Sequence, residues 1–403
     1  MKTILLIGTL DTKGQEYAFV YNLIRERGHQ PLLMNAGTFP SEIKAELTVD
    51  ISAQQVAEAG GTTLAALQAA NDRGEAMSAM QKGVEVLIQQ LFSAGKIDAV
   101  LGLGGSGGTA LATAGMRTLP VGVPKLMVST LASGDVAAYT DIKDITMMYS
   151  VVDIAGLNRL SKQILSNAAG MICGAAEQAI SVSEDKPLIA ATMFGVTTPC
   201  MTKLQAKLEQ AGYEVLIFHA TGSGGRAMEG LITDGFIAGV ADVTTTEWCD
   251  EFVGGVLAAG PDRLDAAGQI GCPQVVSVGA LDMVNFWAMD TVPEKFQDRN
   301  LYKHNENITL MRTTPEENRS LGQIIAAKLN AANGPTTLVL PLKGVSMIDV
   351  EGQPFHDPAA DQALFDTLRA EINDHVKLVE VDAHINDDAF VDALASELLA
   401  AMN

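Results

Sequence analysis

The stretch Ala99-Val-Leu-Gly-Leu-Gly-Gly-Ser-Gly-Gly-Thr-Ala110 constrains this chain more than any other. Asp98 to Leu103 is nearly all apolar, the pattern of a short strand covered on both faces of a parallel sheet. Gly104, Gly105, Ser106, Gly107, Gly108 and Thr109 follow at once, and Thr109 to Met116 then reads as a helix. A glycine turn lets successive backbone N–H groups converge on one point, and the helix adds its own N–H groups and the positive end of its dipole. A phosphate or carboxylate is the expected occupant, with Ser106 and Thr109 adding hydroxyls. Gly102, Gly104 and Gly107 also fit G-x-G-x-x-G, but the following strand, Lys125 to Ser129, ends without the acidic residue that would hold a ribose. A nicotinamide dehydrogenase is therefore not the reading.

At 403 residues the chain exceeds one ordinary core, so two domains are expected, at 1–183 and 184–403. A hydrophobic content of 47 % with only 5 % aromatic residues suits α/β layers built from Ala, Val, Leu and Ile. The formal charge of −21 argues against a nucleic-acid backbone or an anionic membrane as partner. Cys173, Cys200, Cys249 and Cys272 lie far apart without C-x-x-C spacing, so free thiols in a reducing compartment are expected. Met1 to Ile7 has an apolar run too short for a signal sequence, and no stretch reaches a membrane-spanning length. The expectation is a soluble cytoplasmic protein.

Along the first half, Thr3 to Ile7 is a strand and Gln15 to Arg27 a helix, and Pro31 to Met34 is the next strand. Gly8-Thr-Leu-Asp-Thr-Lys-Gly14 joins the first pair and lacks the G-K-[ST] of a Walker loop. Thr9, Thr12 and Lys13 nevertheless suit a phosphate, and Asp11 suits Mg²⁺, directly or through water; a helix cap and a solvated lysine are the plainer account. Ser41 to Gly74 is polar and irregular apart from a short helix capped by Ser52, and reads as a lid. Glu75 to Ala94 is an amphipathic helix. The loop Thr130-Leu-Ala-Ser-Gly-Asp135 places Thr130 and Ser133 where a doubly wound sheet binds ligands, while Asp135, Asp141 and Asp144 read as caps. Asp153 to Ile180 reads as one long helix and Ser181 to Pro187 as a linker.

The second half repeats this plan. Pro187 to Gly195 resembles the first strand and turn, and Gly212 to His219 parallels Gly28 to Asn35. A second glycine turn, His219-Ala-Thr-Gly-Ser-Gly-Gly-Arg-Ala-Met-Glu229, again joins a strand to a helix. His219 at a strand end is a candidate acid or base, and Arg226 a candidate clamp for a carboxylate or phosphate. Glu229 shares the Arg226 face, and Glu247 follows three threonines; ordinary ion pairing and capping are the plainer account. Met283 to Pro315 has almost no periodicity, which suggests a functional or subunit-contact segment whose His304 and Arg312 could join the His219 site. A last helix, 385–403, could cross back to the first domain.

Several strings together are more specific than any glycine pattern: Gly104-Gly-Ser-Gly-Gly-Thr109, Thr192-Met-Phe-Gly-Val-Thr-Thr-Pro-Cys200, Gly225-Arg-Ala-Met-Glu229, Thr244-Thr-Thr-Glu247, Val278-Gly-Ala-Leu-Asp-Met-Val-Asn-Phe286 and Leu310-Met-Arg-Thr-Thr314. Along nearly its whole length the chain resembles a family of uncharacterised bacterial and plant proteins related to the amino-terminal, ATP-binding domain of the tomato mosaic virus resistance protein. The resemblance implies an α/β fold of two Rossmann-like three-layer domains with mostly parallel sheets, ATP binding with Mg²⁺, and a homodimer.

Three readings follow. One is an ATP-binding protein with phosphates on the Gly104 to Thr109 turn and the Lys13 loop, and room in the second domain for another small anionic substrate. Another is a metabolic enzyme acting on a small carboxylate or phosphorylated compound through His219, Arg226, Glu229 and Glu247. The last is a regulatory module that keeps ATP as a structural ligand.

Overall fold

The computed structural model describes residues 1–39, 47–179 and 186–402. The chain divides into two compact units, Met1–Ser181 and Val182–Asn403. Residues 181–185 of the expected linker and 41–46 of the expected lid lie outside the described residues.

The first unit runs β1 (Thr3–Gly8), α1 (Leu10–Glu26), β2 (Gln30–Asn35), α2 (Ala53–Ala59), α3 (Leu64–Ala70), α4 (Arg73–Ser93), β3 (Ala99–Gly104), α5 (Ser106–Arg117), β4 (Lys125–Ser129), α6 (Ala137–Thr140), β5 (Thr146–Tyr149) and α7 (Arg159–Glu177). Its five strands are all parallel in the order β2-β1-β3-β4-β5. Alternation along β1 shows why the strands read as unbroken apolar runs. Ile4 and Leu6 enter a core under α1 and α7, whereas Leu5 and Ile7 enter another with α2, α4 and α5. Each such side chain contributes roughly 1.5–3 kcal/mol on burial.

The second unit runs β6 (Leu188–Met193), α8 (Thr198–Gln210), β7 (Glu214–His219), α9 (Ser223–Thr233), β8 (Ile237–Thr244), α10 (Glu247–Val253), α11 (Ala266–Ile270), β9 (Gln274–Gly279), β10 (Met283–Phe286), β11 (Leu301–Lys303), β12 (Thr309–Arg312), α12 (Pro315–Asn330), β13 (Thr336–Pro341), α13 (Pro358–Glu371), β14 (Val376–Val381) and α14 (Asp388–Met402). Its main sheet is parallel in the order β14-β13-β9-β8-β6-β7. Read from the other edge, its first five strands repeat the order of the first unit, so the shared plan extends beyond the strand–loop–helix–strand visible in sequence.

Several segments differ from expectation: α1 begins at Leu10 instead of Gln15, and α3 and the start of α4 fall in the stretch read as irregular apart from one short helix. Helix α5 starts at Ser106, so Gly107 and Gly108 lie in its first turn while Gly104 ends β3 and Gly105 caps the helix. Helix α7 starts at Arg159 because Asn158 and Ser161 make a reciprocal capping box, which leaves Asp153 in the preceding turn. Within Met283 to Pro315, β10, β12 and β11 form an antiparallel sheet; β10 and β12 are buried on both faces and hence show no alternation. Helix α14 belongs to the second unit, where Phe390, Val391, Leu394 and Leu398 pack with Ile189, Leu204 and Val339.

Candidate functional site

In a sheet ordered 2-1-3-4-5 the chain reverses direction between the first and third strands, and ligands bind beyond the carboxyl ends there. The loops leaving β1 and β3 line a cavity of about 570 Å³ in the first unit, within the roughly 300–1,000 Å³ range of small-molecule sites. Thr9, Asp11, Thr12 and Lys13 form one wall, and Gly104, Gly105, Ser106, Gly107 and Gly108 another. Lys13 interrupts α1 with φ −126° and ψ 20°, and the Thr9 and Thr12 hydroxyls lie 3.0 Å apart in the turn before it. Buried Asn35 ties this turn to the β2 loop by accepting from Leu10 N–H at 3.2 Å and Gly37 N–H at 3.0 Å.

The four glycines of the turn have different reasons to be there. A Cβ on Gly104 would lie 2.8 Å from Gly108 Cα, and one on Gly108 would lie 3.2 Å from Leu103 O, so the fold needs both. A Cβ on Gly105 would meet only Thr130 Oγ1 at 3.7 Å, and one on Gly107 only Arg73 and Met77 at 3.8 Å. Neither has a positive φ. Nothing in the protein requires these two to lack a side chain, whereas a ligand approaching the helix backbone would.

Thr109 is turned away from the cavity. Its hydroxyl donates to Gly105 O at 2.8 Å and lies 2.7 Å from Ser129 Oγ, fastening α5 to β4. Thr130 sits beside Gly105, its N–H bonded to Gly104 O at 3.2 Å, and Ser133 is exposed; neither lines the cavity. The cavity is completed by residues that carry no local sequence signal: Gln68, Asn71, Arg73 and Met77 around α3 and α4, and Asp153 beyond β5.

Two cations, Lys13 and Arg73, and three carboxylates, Asp11, Asp72 and Asp153, line the cavity. Lys13 and Arg73 make no ion pair among the described residues, although Asp and Glu outnumber Lys and Arg 48 to 27. Asp11 Oδ2 accepts from Phe39 N–H at 3.1 Å, while its Oδ1 is buried without a donor. That oxygen fits a cation or a ligand hydroxyl, since an unpaired buried acceptor costs roughly 1–3 kcal/mol. Among the described residues no group of three or more His, Cys, Asp or Glu could hold a metal, so a Mg²⁺ ion here would need ligand oxygens and water to complete its shell.

The second glycine turn is built differently, because its own carboxylate fills it. Glu247 Oε1 accepts from Gly222 N–H at 2.7 Å and Gly225 N–H at 3.1 Å, and Oε2 accepts from Arg263 Nε at 2.7 Å. A Cβ on Gly225 would lie 2.2 Å from that Oε2. Arg263, only 1 % exposed, also donates through Nη2 to Asp242 at 2.7 Å and through Nη1 to Asp242 and to Glu229 at 3.2 Å. Glu229 further accepts from Leu264 and Ala266 N–H at 2.7 and 2.8 Å. Burial opposes the Arg263 charge, but Asp242, Glu247 and Glu229 outweigh it and raise its pKa well above the ordinary value. Glu229 and Glu247 thus brace the fold instead of opening onto a ligand. His219 is exposed, its ring 5.4 Å from Phe194, and Arg226 is exposed on α9. Sequence reasoning missed Arg263 because it stands in a loop, far from the carboxylates it gathers.

The expected link from Arg312 and His304 to His219 is absent. His304 is exposed, and Arg312 is buried, donating to Asp361 at 2.6 Å, Asp349 at 3.4 Å and Phe355 O at 2.7 Å. Burial, together with the charges of Asp282 and Asp361, pushes the Asp349 carboxyl up. Burial pushes Asp250 up to about 7 against the hydrogen bonds of Asn285. A carboxyl with a raised folded pKa binds its proton more tightly folded than unfolded. The stability it lends is complete below the ordinary value of 3.8 and is lost as pH rises through the folded pKa. The thermal stability of the second unit is therefore expected to fall between about pH 4 and about pH 7, and Asp250→Asn to flatten the slope. The lowered carboxyls, Asp98, Asp144 and Asp388, titrate below this window. A calorimetric melting series rising with pH would contradict the assignment.

Comparison with known proteins agrees with this architecture. Residues 2–181 match the N-terminal domain and residues 186–402 the C-terminal domain of the uncharacterised protein family UPF0261. A UPF0261 protein of Clostridium tetani is 52 % identical, with 100 % of this chain and 99 % of that protein covered. The ToMV resistance protein Tm-1(GCR237) of Solanum lycopersicum is 40 % identical over 98 % of this chain and 55 % of its own length. A solved UDP-N-acetylglucosamine 2-epimerase from Listeria monocytogenes is similar at 9 % identity and a TM-score of 0.25, with 68 % of this chain and 78 % of that one covered. The chain belongs to the UPF0261 family.

Proposed function

We propose that this UPF0261 member binds a nucleotide of the ATP type in the first-unit cavity, with phosphates on the first turn of α5. The observation that carries the reading is the convergence, on one cavity, of an open helix start containing Gly107 and Gly108 and two cations that make no ion pair among the described residues, in a strongly acidic chain. The first N–H groups of a helix have no acceptor within it, and Ser106, Gly107 and Gly108 begin α5 and line the cavity. Lys13 supplies a point charge from the kink of α1, and Arg73 a planar fork from the start of α4. Asp11 is the residue that would hold Mg²⁺ beside the phosphates, an ion that would neutralise their charge. Four free, buried cysteines accord with a reducing, cytoplasmic setting. No described helix is long and apolar enough to cross a membrane.

The second-unit alternative, chemistry at His219 and Arg226, has less support, because Glu229 and Glu247 are committed to Arg263. Calorimetric titration of the full chain with ATP, with and without Mg²⁺, tests the reading. Lys13→Gln and Arg73→Gln are each expected to weaken binding about tenfold, the usual worth of one charge-assisted contact. Absence of ATP binding, or unchanged affinity in both variants, would overturn it.

A further inference from the structure

We propose that the γ-turn centred on Val151 is a positioning element that holds the Asp153 carboxylate against the ligand of the first-unit cavity, where Asp153 accepts a hydrogen bond from a ligand hydroxyl. The proposal rests on the nucleotide reading above and names what else the ligand must carry. Val151 has φ 64°, and across it Val152 N–H donates to Ser150 O at 2.7 Å. A γ-turn of this hand is rare and strained, and a β-branched residue at positive φ is a genuine outlier. Strain of this kind survives only where the surroundings over-determine it, and it gathers at ligand sites.

Here the surroundings do so from both sides. Before the turn, Ser150 N–H donates to Ser129 O at 3.1 Å and Ser150 Oγ donates to Val152 O at 2.6 Å. After it, Ile154 is buried in the core, and Gly156 N–H donates to Glu16 Oε1 at 2.6 Å. Glu16 is itself 2 % exposed and lies on α1, three residues beyond Lys13. The segment is thus slung between the end of β4 and the helix that carries the cationic loop. Val151 is 56 % exposed, so its own packing does not compensate the conformation. What the turn achieves is to fold the chain back beyond edge strand β5, so that Asp153 lines the cavity with Asp11 and Lys13.

A carboxylate only accepts hydrogen bonds, and Asp153 brings one to the cavity lining. The helix amides, Lys13 and Arg73 are donors. A cavity equipped with both takes a ligand that presents acidic oxygens at one part and hydroxyls at another, the chemistry of a ribose phosphate ester.

The test uses the full-length protein, calorimetric affinities for ATP and 2′,3′-dideoxy-ATP, and ligand-free melting curves. Asp153→Asn is expected to weaken ATP about tenfold and to move dideoxy-ATP less than about twofold. Val151→Gly and Val151→Asn, which tolerate positive φ, are expected to keep the turn, to keep or raise the melting temperature and to hold ATP affinity within about twofold, whereas Val151→Pro, whose ring forbids positive φ, is expected to weaken ATP about fivefold. Wild-type affinity for ATP in the Asp153 variant, or equal losses for both nucleotides, would overturn the hydroxyl contact. Wild-type ATP affinity in a Val151→Pro variant that melts as a folded protein would overturn the positioning role and make the turn merely structural. If the unaltered protein binds neither nucleotide, the nucleotide reading itself falls, and this proposal with it.

Discussion

Replacing Gly107 by valine is expected to reduce ATP affinity at least about 100-fold, equivalent to about 2.7 kcal/mol, while moving the melting temperature by no more than about 2 °C. The two halves of this expectation have separate causes. A Cβ at Gly107 meets no protein atom closer than 3.8 Å, and the residue lies inside α5, where glycine is a poor helix former. The fold therefore tolerates the change or gains slightly. The new methyl groups, however, would project toward Arg73 and Met77, across the space in which a phosphate would meet the Gly107 and Gly108 amides. Gly104→Ala serves as the contrast: its Cβ would lie 2.8 Å from backbone at Gly108, so it is expected to lower stability as well as binding. Calorimetry and thermal melting on the two variants decide the matter. Full ATP affinity in the Gly107 variant would remove phosphate from this turn.

The second large effect is on stability. Arg263→Met is expected to destabilise the second unit by about 3–5 kcal/mol, because it strands Asp242 and Glu247 as buried carboxylates without their common counter-ion. Glu229, 15 % exposed at its side chain, can recover some hydration and suffers less. Arg263→Lys keeps a charge but not a fork that reaches three carboxylates at once, and should fall between the two. Adding Asp242→Asn and Glu247→Gln to Arg263→Met should recover part of the loss, since neutral groups need no counter-ion. Denaturant midpoints for unfolding of the second unit report the series. A loss below about 1 kcal/mol in Arg263→Met would mean the cluster is not the brace that its geometry describes.

How much of this was legible in the chain depends on whether the relevant partner is near in sequence. Strand β3 and the glycine turn were readable because a doubly covered strand must be apolar throughout, and because glycine accumulates where backbone must be approached. The start of α5 was misplaced because glycines argue against helix, although a first turn stripped of side chains is what an anion at a helix terminus requires. The start of α7 was misplaced because apolar periodicity masked the Asn158 capping box. Around His219 the residue types were suggestive, but the roles of Glu229 and Glu247 depend on Arg263, which lies 34 and 16 residues away.

The sequence by itself determined the elements, the two-unit α/β plan, its repeat and the presence of a glycine turn at each half, since these follow from local pattern and from the burial of parallel strands. It also determined the family. Only the tertiary structure decided which turn is open. In the first unit the sheet order brings the Lys13 loop, α5, the start of α4 and Asp153 around one cavity, where Lys13 and Arg73 make no ion pair among the described residues. In the second, the Glu247 carboxylate at the start of α10 reaches the glycine amides of the turn after β7 and closes them. Both turns offer the same backbone chemistry; the difference is whether the fold supplies an anion of its own, which is a matter of long-range contact and not of local pattern.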